Sequence, residues 1–403
     1  MTFCEVMIIE QGTNKLIFMK IFFVSRGYPT KQHPQWGCFE FDQARALKRL
    51  GHEVVMISVD IRFRPYRRKF GITKTEKDGI GLVDIFVCPD VLSKWLGARC
   101  SDKFKSWQLL QVYKQAVKLY GKPDIVYAHY LWNIALAIRV KEKYKVPVVG
   151  MEHWSKLNEP VLNSMERYMG NVAYNGADKI IAVSDSLRIK IKKHFGIDSI
   201  VVHNMIGEEF VNNQVISPNK DKLIFISVGS LIHRKGYDIL IDAMKSISDK
   251  IPAWELWLVG DGSEYMHLQR KIDDYKLSAQ IKLFGRKNKT EIIKLLSVSS
   301  VYISASRSEN FSVSILEALS AGLPVIATLC GGIKECIDKK NGILVPVEDV
   351  KGMATAISEI AKNIGHYNRM EIHENCKLRF APQVIAQQLT SIFEEVIKNV
   401  DNH

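Results

Sequence analysis

Two carboxylates, Glu309 and Glu317, lie eight residues apart and could bind a ligand rich in hydroxyl groups. Ionised carboxylates only accept hydrogen bonds, so they suit sugar hydroxyls. A nucleotide sugar has hydroxyls at both ends and a diphosphate between them. Glu309 could accept from the sugar and Glu317 from the ribose, while the backbone N–H groups of Phe311 and Ser312 could bind phosphate. Alternatively, Glu317 is an ordinary acid on a helix surface and Glu309 interacts with the helix dipole. The spacing alone does not choose between these readings.

The residues around the two acids predict a strand, a loop, a helix and a second strand. The first strand ends at Ile303, residues 306–312 form the loop, residues 313–321 form the helix, and the second strand starts at Val325. A βαβ unit of this kind belongs to a parallel sheet. Ligands of such sheets bind beyond the carboxyl ends of the strands, where a helix N-terminus offers N–H groups to an anion.

The first half of the chain predicts a parallel sheet that carries histidines at the ends of its strands. Strands over residues 21–25 and 52–59 flank a helix over residues 40–50, and Gly37 in the turn before that helix could approach a phosphate. Two later strands end at His129 and at His153. A histidine at such a place is often structural, but its recurrence on successive strands favours a site at His153.

The strand and helix pattern restarts after a polar connector over residues 206–220. Three strands of the second half are each followed by glycine, which lets the backbone approach a ligand closely. These glycines are Gly229, Gly260 and Gly285. The chain is therefore expected to form two Rossmann-like α/β domains, over residues 19–205 and 221–380. Residues 1–18 are interpreted as an extension and residues 381–403 as a helix that packs back on the first domain.

Composition narrows the class of protein. With 47% hydrophobic and 25% charged residues in 403, the chain is typical of soluble globular proteins. The seven cysteines contain no C-x-x-C, so no disulfide framework or zinc site is indicated, and a reducing compartment fits. No apolar stretch is long enough to span a membrane, and no signal peptide is evident.

The net charge of +13 lies entirely in residues 1–205, which predicts an anionic partner for the first domain. A cluster of five basic side chains follows its second strand, at Arg62, Arg64, Arg67, Arg68 and Lys69. These side chains could form a solvated loop, contact an anionic membrane or lipid phosphate, or bind nucleic acid. A nucleic-acid partner is not expected, because it leaves the two glutamates without a role.

In the order and spacing of its motifs the chain resembles the family 4 glycosyltransferases of the GT-B architecture, from about Met19 to the C-terminus. That architecture implies two doubly wound Rossmann-like domains facing across a cleft. The motifs include Arg49-Leu-Gly-His-Glu-Val54, Pro123-Asp-Ile-Val-Tyr-Ala-His129, Ile180-Ile-Ala-Val-Ser184, Arg234-Lys-Gly236, Leu258-Val-Gly-Asp-Gly262, Phe284-Gly-Arg286, Ser308-Glu-Asn-Phe311, Gly322-Leu-Pro-Val325 and Asn341-Gly342.

The resemblance implies roles for individual residues. Lys235 would contact the donor diphosphate, Glu309 the transferred sugar, and His153 the region near the reacting carbon, so these three are the expected catalytic residues. The expected donor-binding residues are Gly37, Gly229, Arg234, Lys235, Gly260, Glu309, Asn310, Phe311, Ser312 and Glu317. The family transfers with retention and without an essential metal or cofactor. Three positions depart from its common pattern: Ser230 replaces an arginine, Ser312 a glycine and His203 a proline.

The expected function is transfer of a sugar from a UDP- or GDP-sugar to a glycan or lipid-linked acceptor in cell-surface polysaccharide or glycolipid synthesis. The protein would be cytoplasmic and could lie peripherally at the inner face of the membrane, with the basic cluster contacting the membrane or the acceptor. A nucleotide-sugar 2-epimerase of the same layout is the alternative, and a binding module without activity is a third interpretation.

Overall fold

A computed structural model describes residues 18–33, 36–61, 69–88, 98–211, 215, 222–251 and 253–401. Most of the proposed extension and four of the five basic residues of the cluster fall outside these ranges. Within them, no helix is both long and apolar enough to cross a membrane.

The first domain is built on an eight-stranded sheet. The strand order is β3-β4-β2-β1-β5-β6-β7-β8, with β3 antiparallel to β4 and every other pair parallel. The strands are β1 (Lys20–Ser25), β2 (Glu53–Val59), β3 (Gly71–Lys77), β4 (Ile80–Phe86), β5 (Ile125–His129), β6 (Val148–Glu152), β7 (Lys179–Ala182) and β8 (Ile200–Val201). Its helices are α1 (Cys38–Arg49), α2 (Ala98–Tyr120), α3 (Leu131–Tyr144), α4 (Ser164–Gly176) and α5 (Asp185–Phe195).

The second domain has a six-stranded, all-parallel sheet in the order β11-β10-β9-β12-β13-β14. Its strands are β9 (Leu223–Val228), β10 (Trp254–Val259), β11 (Ile281–Leu283), β12 (Val301–Ser304), β13 (Val325–Thr328) and β14 (Gly342–Val345). The remaining helices are α6 (Glu208–Val211), α7 (Tyr237–Ile247), α8 (Tyr265–Asp274), α9 (Lys289–Val298), α10 (Val313–Ser320), α11 (Val350–Asn363), α12 (Arg369–Phe380) and α13 (Pro382–Asp401). Two Rossmann-like α/β domains with parallel sheets confirm the expected fold class.

Runs of apolar residues explain why β1, β5 and β6 lie in the interior of the first sheet. Strands β1, β5 and β6 are buried along nearly their whole length, as expected for strands covered by helices on both faces. Strand β3 is different because its sequence is polar and its second half is exposed. It pairs with β4 at the edge of the sheet, and the sequence pattern did not reveal it.

Several sequence-based boundaries were displaced. Helix α1 begins at Cys38 rather than residue 40, because Gly37 takes a left-handed conformation (φ 66°) as its N-cap. His52 precedes β2 instead of belonging to it, and its buried ring bonds to the Met19 N–H at 3.3 Å. The connector over residues 206–220 contains helix α6, in which Phe210 is fully buried.

The C-terminal helix α13 packs on the first domain. The Phe393 ring lies 5.0 Å from that of Tyr127 in β5, and the Thr390 hydroxyl is 2.9 Å from His52 Nε2. Lys179 pairs with Glu395 at 3.0 Å. Helix α13 therefore ties the end of the chain to the domain in which the chain began.

Candidate active site

A cavity of about 880 Å³ lies between the two domains. Residues that follow β1, β5 and β6 line it on the first domain, including Arg26, Tyr130 and His153. Residues that follow β9, β10 and β12 line it on the second. The carboxyl ends of both parallel sheets thus face one cleft, which is where sheets of this type bind ligands.

Glu309 and Lys235 form an ion pair on the second-domain wall. Lys235 Nζ lies 2.5 Å from Glu309 Oε1, which also accepts a hydrogen bond from the Ser306 hydroxyl at 3.0 Å. Arg234 lies 3.6 Å from the other carboxylate oxygen. Glu309 is only 8% exposed, so its charge is held by cations rather than by water.

Gly236 allows the basic turn to sit close to the loop that carries Glu309. Its φ is 65°, and a Cβ there would lie 2.0 Å from the carbonyl oxygen of Ala305. A side chain at this position would push Lys235 away from Glu309. The positive φ and this close approach explain why glycine follows Arg234 and Lys235 in the motif.

Glu317 lies on α10, eight residues after Glu309, and lines the same cavity. The pKa of its carboxyl is raised to about 8, because burial and the carboxylates of Asp42 and Glu209 outweigh the opposing effect of Lys289. Lys289 Nζ lies 3.1 Å from Asp42 and 3.2 Å from Glu209. Asp42 belongs to α1, so this ion-pair group joins both domains beside Glu317.

Between the two glutamates the N-terminus of α10 opens on the cavity. Phe311 and Ser312 line it, and among the described side chains none caps the first turn of α10. The N–H groups of that turn are consequently available to an anion. The Ser312 hydroxyl is 3.1 Å from that of Ser314.

Asn310 contacts the opposite wall. Its Nδ2 donates to the His153 carbonyl at 2.9 Å, and its Oδ1 accepts from Asn158 Nδ2 at 2.7 Å. Both ends of the amide are therefore occupied by the first domain. In this structure Asn310 joins the two walls of the cleft.

His153 packs against a second histidine at the end of the neighbouring strand. Its Nε2 lies 3.2 Å from His129 Nδ1, and the two rings stack with their centroids 5.4 Å apart. Asn204 Nδ2 donates to the Phe311 carbonyl at 3.1 Å. Burial lowers the pKa of His153 to about 3, with a further contribution from His129, so the ring is neutral at pH 7.

Glu152 precedes His153 but does not reach the cavity. It is fully buried and accepts hydrogen bonds from the N–H groups of His153 (2.8 Å) and Trp154 (2.7 Å). Its other oxygen accepts from the Tyr174 hydroxyl at 2.6 Å. Burial raises the pKa of its carboxyl to about 7. Glu152 shapes the loop that presents His153.

The remaining sequence candidates fall into three groups. Gly229 and Gly260 line the cavity, whereas Gly37 is the α1 N-cap, where a Cβ would lie 2.1 Å from the Gly27 carbonyl oxygen. Lys69 is exposed and does not line the cavity. Its four basic neighbours are outside the described residues: Arg62, Arg64, Arg67 and Arg68.

Sequence reasoning missed several cavity residues from the first domain. Arg26, Tyr130 and Trp154 immediately follow or closely follow strands, and Asp42 lies on α1. Their position after strand ends was the available signal, but it applies equally to residues with no role. Across the residues that the structure describes, no three His, Cys, Asp or Glu side chains converge on a possible metal site.

Comparisons with known proteins identify the family. Residues 208–375 match the model "Glycosyl transferases group 1", and residues 41–210 match "Glycosyltransferase Family 4". An uncharacterized glycosyltransferase of Methanocaldococcus jannaschii is 28% identical over 278 residues, which are 68% of this chain and 76% of that protein. A lipopolysaccharide core biosynthesis glycosyltransferase, LpsE of Rhizobium meliloti, is 31% identical over 168 residues, 40% of this chain and 46% of LpsE.

Among solved structures, Anabaena HepE in complex with UDP is similar, with a TM-score of 0.69 and 18% identity over 94% of this chain and 100% of that one. At this identity the likeness concerns the fold. The matches to the two family models overlap at residues 208–210 and together extend from residue 41 to residue 375. The chain belongs to the glycosyltransferases of the group 1 and family 4 type and has the GT-B fold.

Proposed function

We propose that this glycosyltransferase moves a sugar, with retention, from a UDP- or GDP-sugar to a glycan or lipid-linked acceptor in cell-surface polysaccharide or glycolipid synthesis. The observation that carries the donor assignment is the placement of the Lys235–Glu309 pair and Glu317 in one cavity, with an uncapped helix N-terminus between them. The name of LpsE supports the type of pathway.

The two ends of the donor fit the two glutamates. Glu317 would accept hydrogen bonds from the ribose, and Glu309 from hydroxyls of the transferred sugar. The diphosphate would lie against Lys235 and the N–H groups of Phe311 and Ser312. Gly229 and Gly260 let the backbone come close on the other side of the donor.

The leaving group is a nucleoside diphosphate, whose negative charge grows as the glycosidic bond breaks. Lys235, Arg234 and the α10 amides would stabilise this charge, so no metal is required in the proposal. Both basic side chains are held in place before the reaction. Lys235 bonds to Glu309, and Arg234 donates to the Ser308 carbonyl at 2.9 Å. Preorganised donors of this kind lower the barrier without reorganising during the reaction.

Retention is proposed to occur by attack on the same face of the sugar. The acceptor oxygen would form its bond to the reacting carbon as the bond to phosphate breaks, and the leaving phosphate would take the acceptor proton. Glu152, the carboxylate nearest to His153 in sequence, is buried and accepts three hydrogen bonds, which supports a mechanism without it as nucleophile. Neutral His153 would contact the sugar near the reacting carbon, and Glu309 would position it.

The test is the Glu309→Gln variant, incubated with each radiolabelled nucleotide sugar and examined by mass spectrometry of the intact protein. We expect transfer to fall at least about a hundredfold, since several hydrogen bonds that position the sugar are weakened. No glycosyl adduct should accumulate. A stable adduct on any residue would refute same-face attack.

The same labelled donors, given to the wild-type protein without an acceptor, distinguish the two classes of enzyme. Slow hydrolysis agrees with a transferase. Formation of the 2-epimer would support the isomerase instead, although the relatives described above are named as glycosyltransferases.

We also propose that the protein works in the cytoplasm and contacts the inner face of an anionic membrane through the basic cluster. The net positive charge of the chain lies in residues 1–205, which favours a membrane contact through the first domain. Liposome flotation should require anionic lipid and weaken with salt, and neutral substitutions of the five basic residues should abolish it. Neutral substitutions of Lys192 and Lys193 on α5 are the control, and an equal loss there would contradict the assignment.

A further inference from the structure

An arginine of the first-domain wall is held from several sides. Arg26 follows β1, and its Nε and Nη2 lie 2.8 Å and 3.3 Å from the two oxygens of Glu40, which is fully buried. The guanidinium stacks 3.9 Å above the Tyr130 ring and lies 5.4 Å from that of Trp36. Trp36 Nε1 also donates to the Arg26 carbonyl at 2.6 Å. Backbone and side chain are therefore both fixed.

The fixed guanidinium lines the cavity and keeps one nitrogen for a ligand. Among the described residues, the hydrogen bonds of the guanidinium come from Nε and Nη2, so the two Nη1 hydrogens remain for an acceptor atom in the cleft. Stacking on two rings adds a defined orientation, which is how arginine recognises phosphate and carboxylate groups.

Tyr130 and Trp154 line the cavity together with Arg26 and His153. Tyr130 has a positive φ (68°), an uncommon state for a bulky residue, and its ring centroid lies 5.0 Å from that of His153. Trp154 lines the cavity beside His153, and the Trp132 ring meets it at 6.1 Å and 73°. Trp132 is 39% exposed although it is a large aromatic residue. Such surfaces bind the apolar C–H faces of sugar rings.

We propose that Arg26, Tyr130 and Trp154, with Trp132 packed against Trp154, form an acceptor subsite for a sugar ring that carries an anionic group, either a phosphate or a carboxylate. The ring stacks on Trp154, and the anionic group takes the Nη1 hydrogens of Arg26. The inference rests on the proposed function, because the subsite faces the donor side of the cleft. It adds a chemical class of acceptor, which the charge of residues 1–205 also favours.

The test measures binding of three sugars by saturation-transfer NMR to the full chain with UDP present in excess to fill the donor site. The probes are glucose 1-phosphate, glucuronic acid and the neutral methyl glucoside. We expect the two anionic sugars to bind about tenfold more tightly than the neutral one, since charge-assisted hydrogen bonds are the stronger ones. The phosphate and carboxylate arms show which anion is preferred.

Variants separate the two halves of the subsite. Arg26→Gln should remove the preference for anionic sugars, and Trp154→Ala should weaken all three probes about tenfold. Trp107→Ala is the matched control, because Trp107 is 50% exposed on α2 and does not line the cavity. Unchanged binding in Trp154→Ala, or a persistent anion preference in Arg26→Gln, would overturn the inference.

UDP binding separates a failure of the acceptor subsite from a failure of the proposed function. If UDP itself does not bind the wild-type protein, the donor site is refuted. If UDP binds and the probes bind without any dependence on Arg26 and Trp154, only the acceptor subsite is refuted.

Discussion

Nucleotide binding should release a proton from Glu317. With a pKa of about 8, this carboxyl is about nine-tenths protonated at pH 7 in the free protein. A ribose that donates its hydroxyls to Glu317 requires the ionised form. Binding at pH 7 should thus release about 0.9 proton, and at pH 9 only about 0.1.

The sign of the pH effect follows from the same shift. Because the free protein must lose the proton before it binds, the affinity should rise with pH until the pKa is passed. Between pH 7 and pH 9 the deprotonation cost falls by about 1.4 kcal/mol, which corresponds to about a tenfold gain in affinity.

The assay is isothermal titration calorimetry with UDP in buffers of different ionisation enthalpy. The slope of the observed enthalpy against the buffer enthalpy gives the number of protons released. Glu317→Gln is the matched control, since the glutamine side chain does not titrate. Any protons that UDP itself releases appear in both titrations and cancel when the two slopes are compared. A wild-type slope equal to that of Glu317→Gln would refute the reasoning.

Three further predictions concern the scaffold of the site. In a double-mutant cycle of denaturant unfolding, the effects of Asp42→Asn and Lys289→Met on the free energy of unfolding should be non-additive by about 1 kcal/mol. The two side chains pair across the domains at 3.1 Å, and additive effects would show that this pair is not coupled. Phe393→Ala should cost about 3–5 kcal/mol of unfolding free energy, since the ring is fully buried between α13 and the first domain, and a loss under about 1 kcal/mol would contradict that packing. Gly37→Ala should lower the melting temperature, because φ is 66° and a Cβ would overlap a backbone carbonyl. Gly365→Ala is the control and should leave the melting temperature unchanged, because nothing lies within 4 Å of a Cβ there.

The order of the sequence motifs predicted which residues of the second domain share the cleft. Lys235 and Glu309 were predicted in one site from motif order, and the structure brings their charged atoms within 2.5 Å. Lys235 and Glu309 come together because their loops follow the neighbouring parallel strands β9 and β12, whose carboxyl ends meet at one edge of the sheet. Strand β3 was missed because its polar, exposed sequence lacks the apolar pattern of a strand.

Contacts between the domains could not be predicted, since they depend on how two separate folds meet. Both ends of the Asn310 amide contact the first domain, and no motif predicts these two hydrogen bonds. Likewise, the protonated state of Glu317 arises from burial and from Asp42 and Glu209, which lie far from it in sequence. Such electrostatic effects need coordinates.

Donor binding is the central claim, and a thermal-shift panel of UDP-, GDP- and ADP-sugars tests it most directly. A ligand at a hundred times its dissociation constant adds about 2.7 kcal/mol to stability. For domains of this size, we expect one nucleotide class to raise the melting temperature by about 5–10 °C. Lys235→Ala should abolish most of this shift, whereas Lys245→Ala on α7 should keep it. If no nucleotide sugar stabilises the wild-type protein, or if Lys235→Ala responds like the wild type, the assignment of the cleft is contradicted.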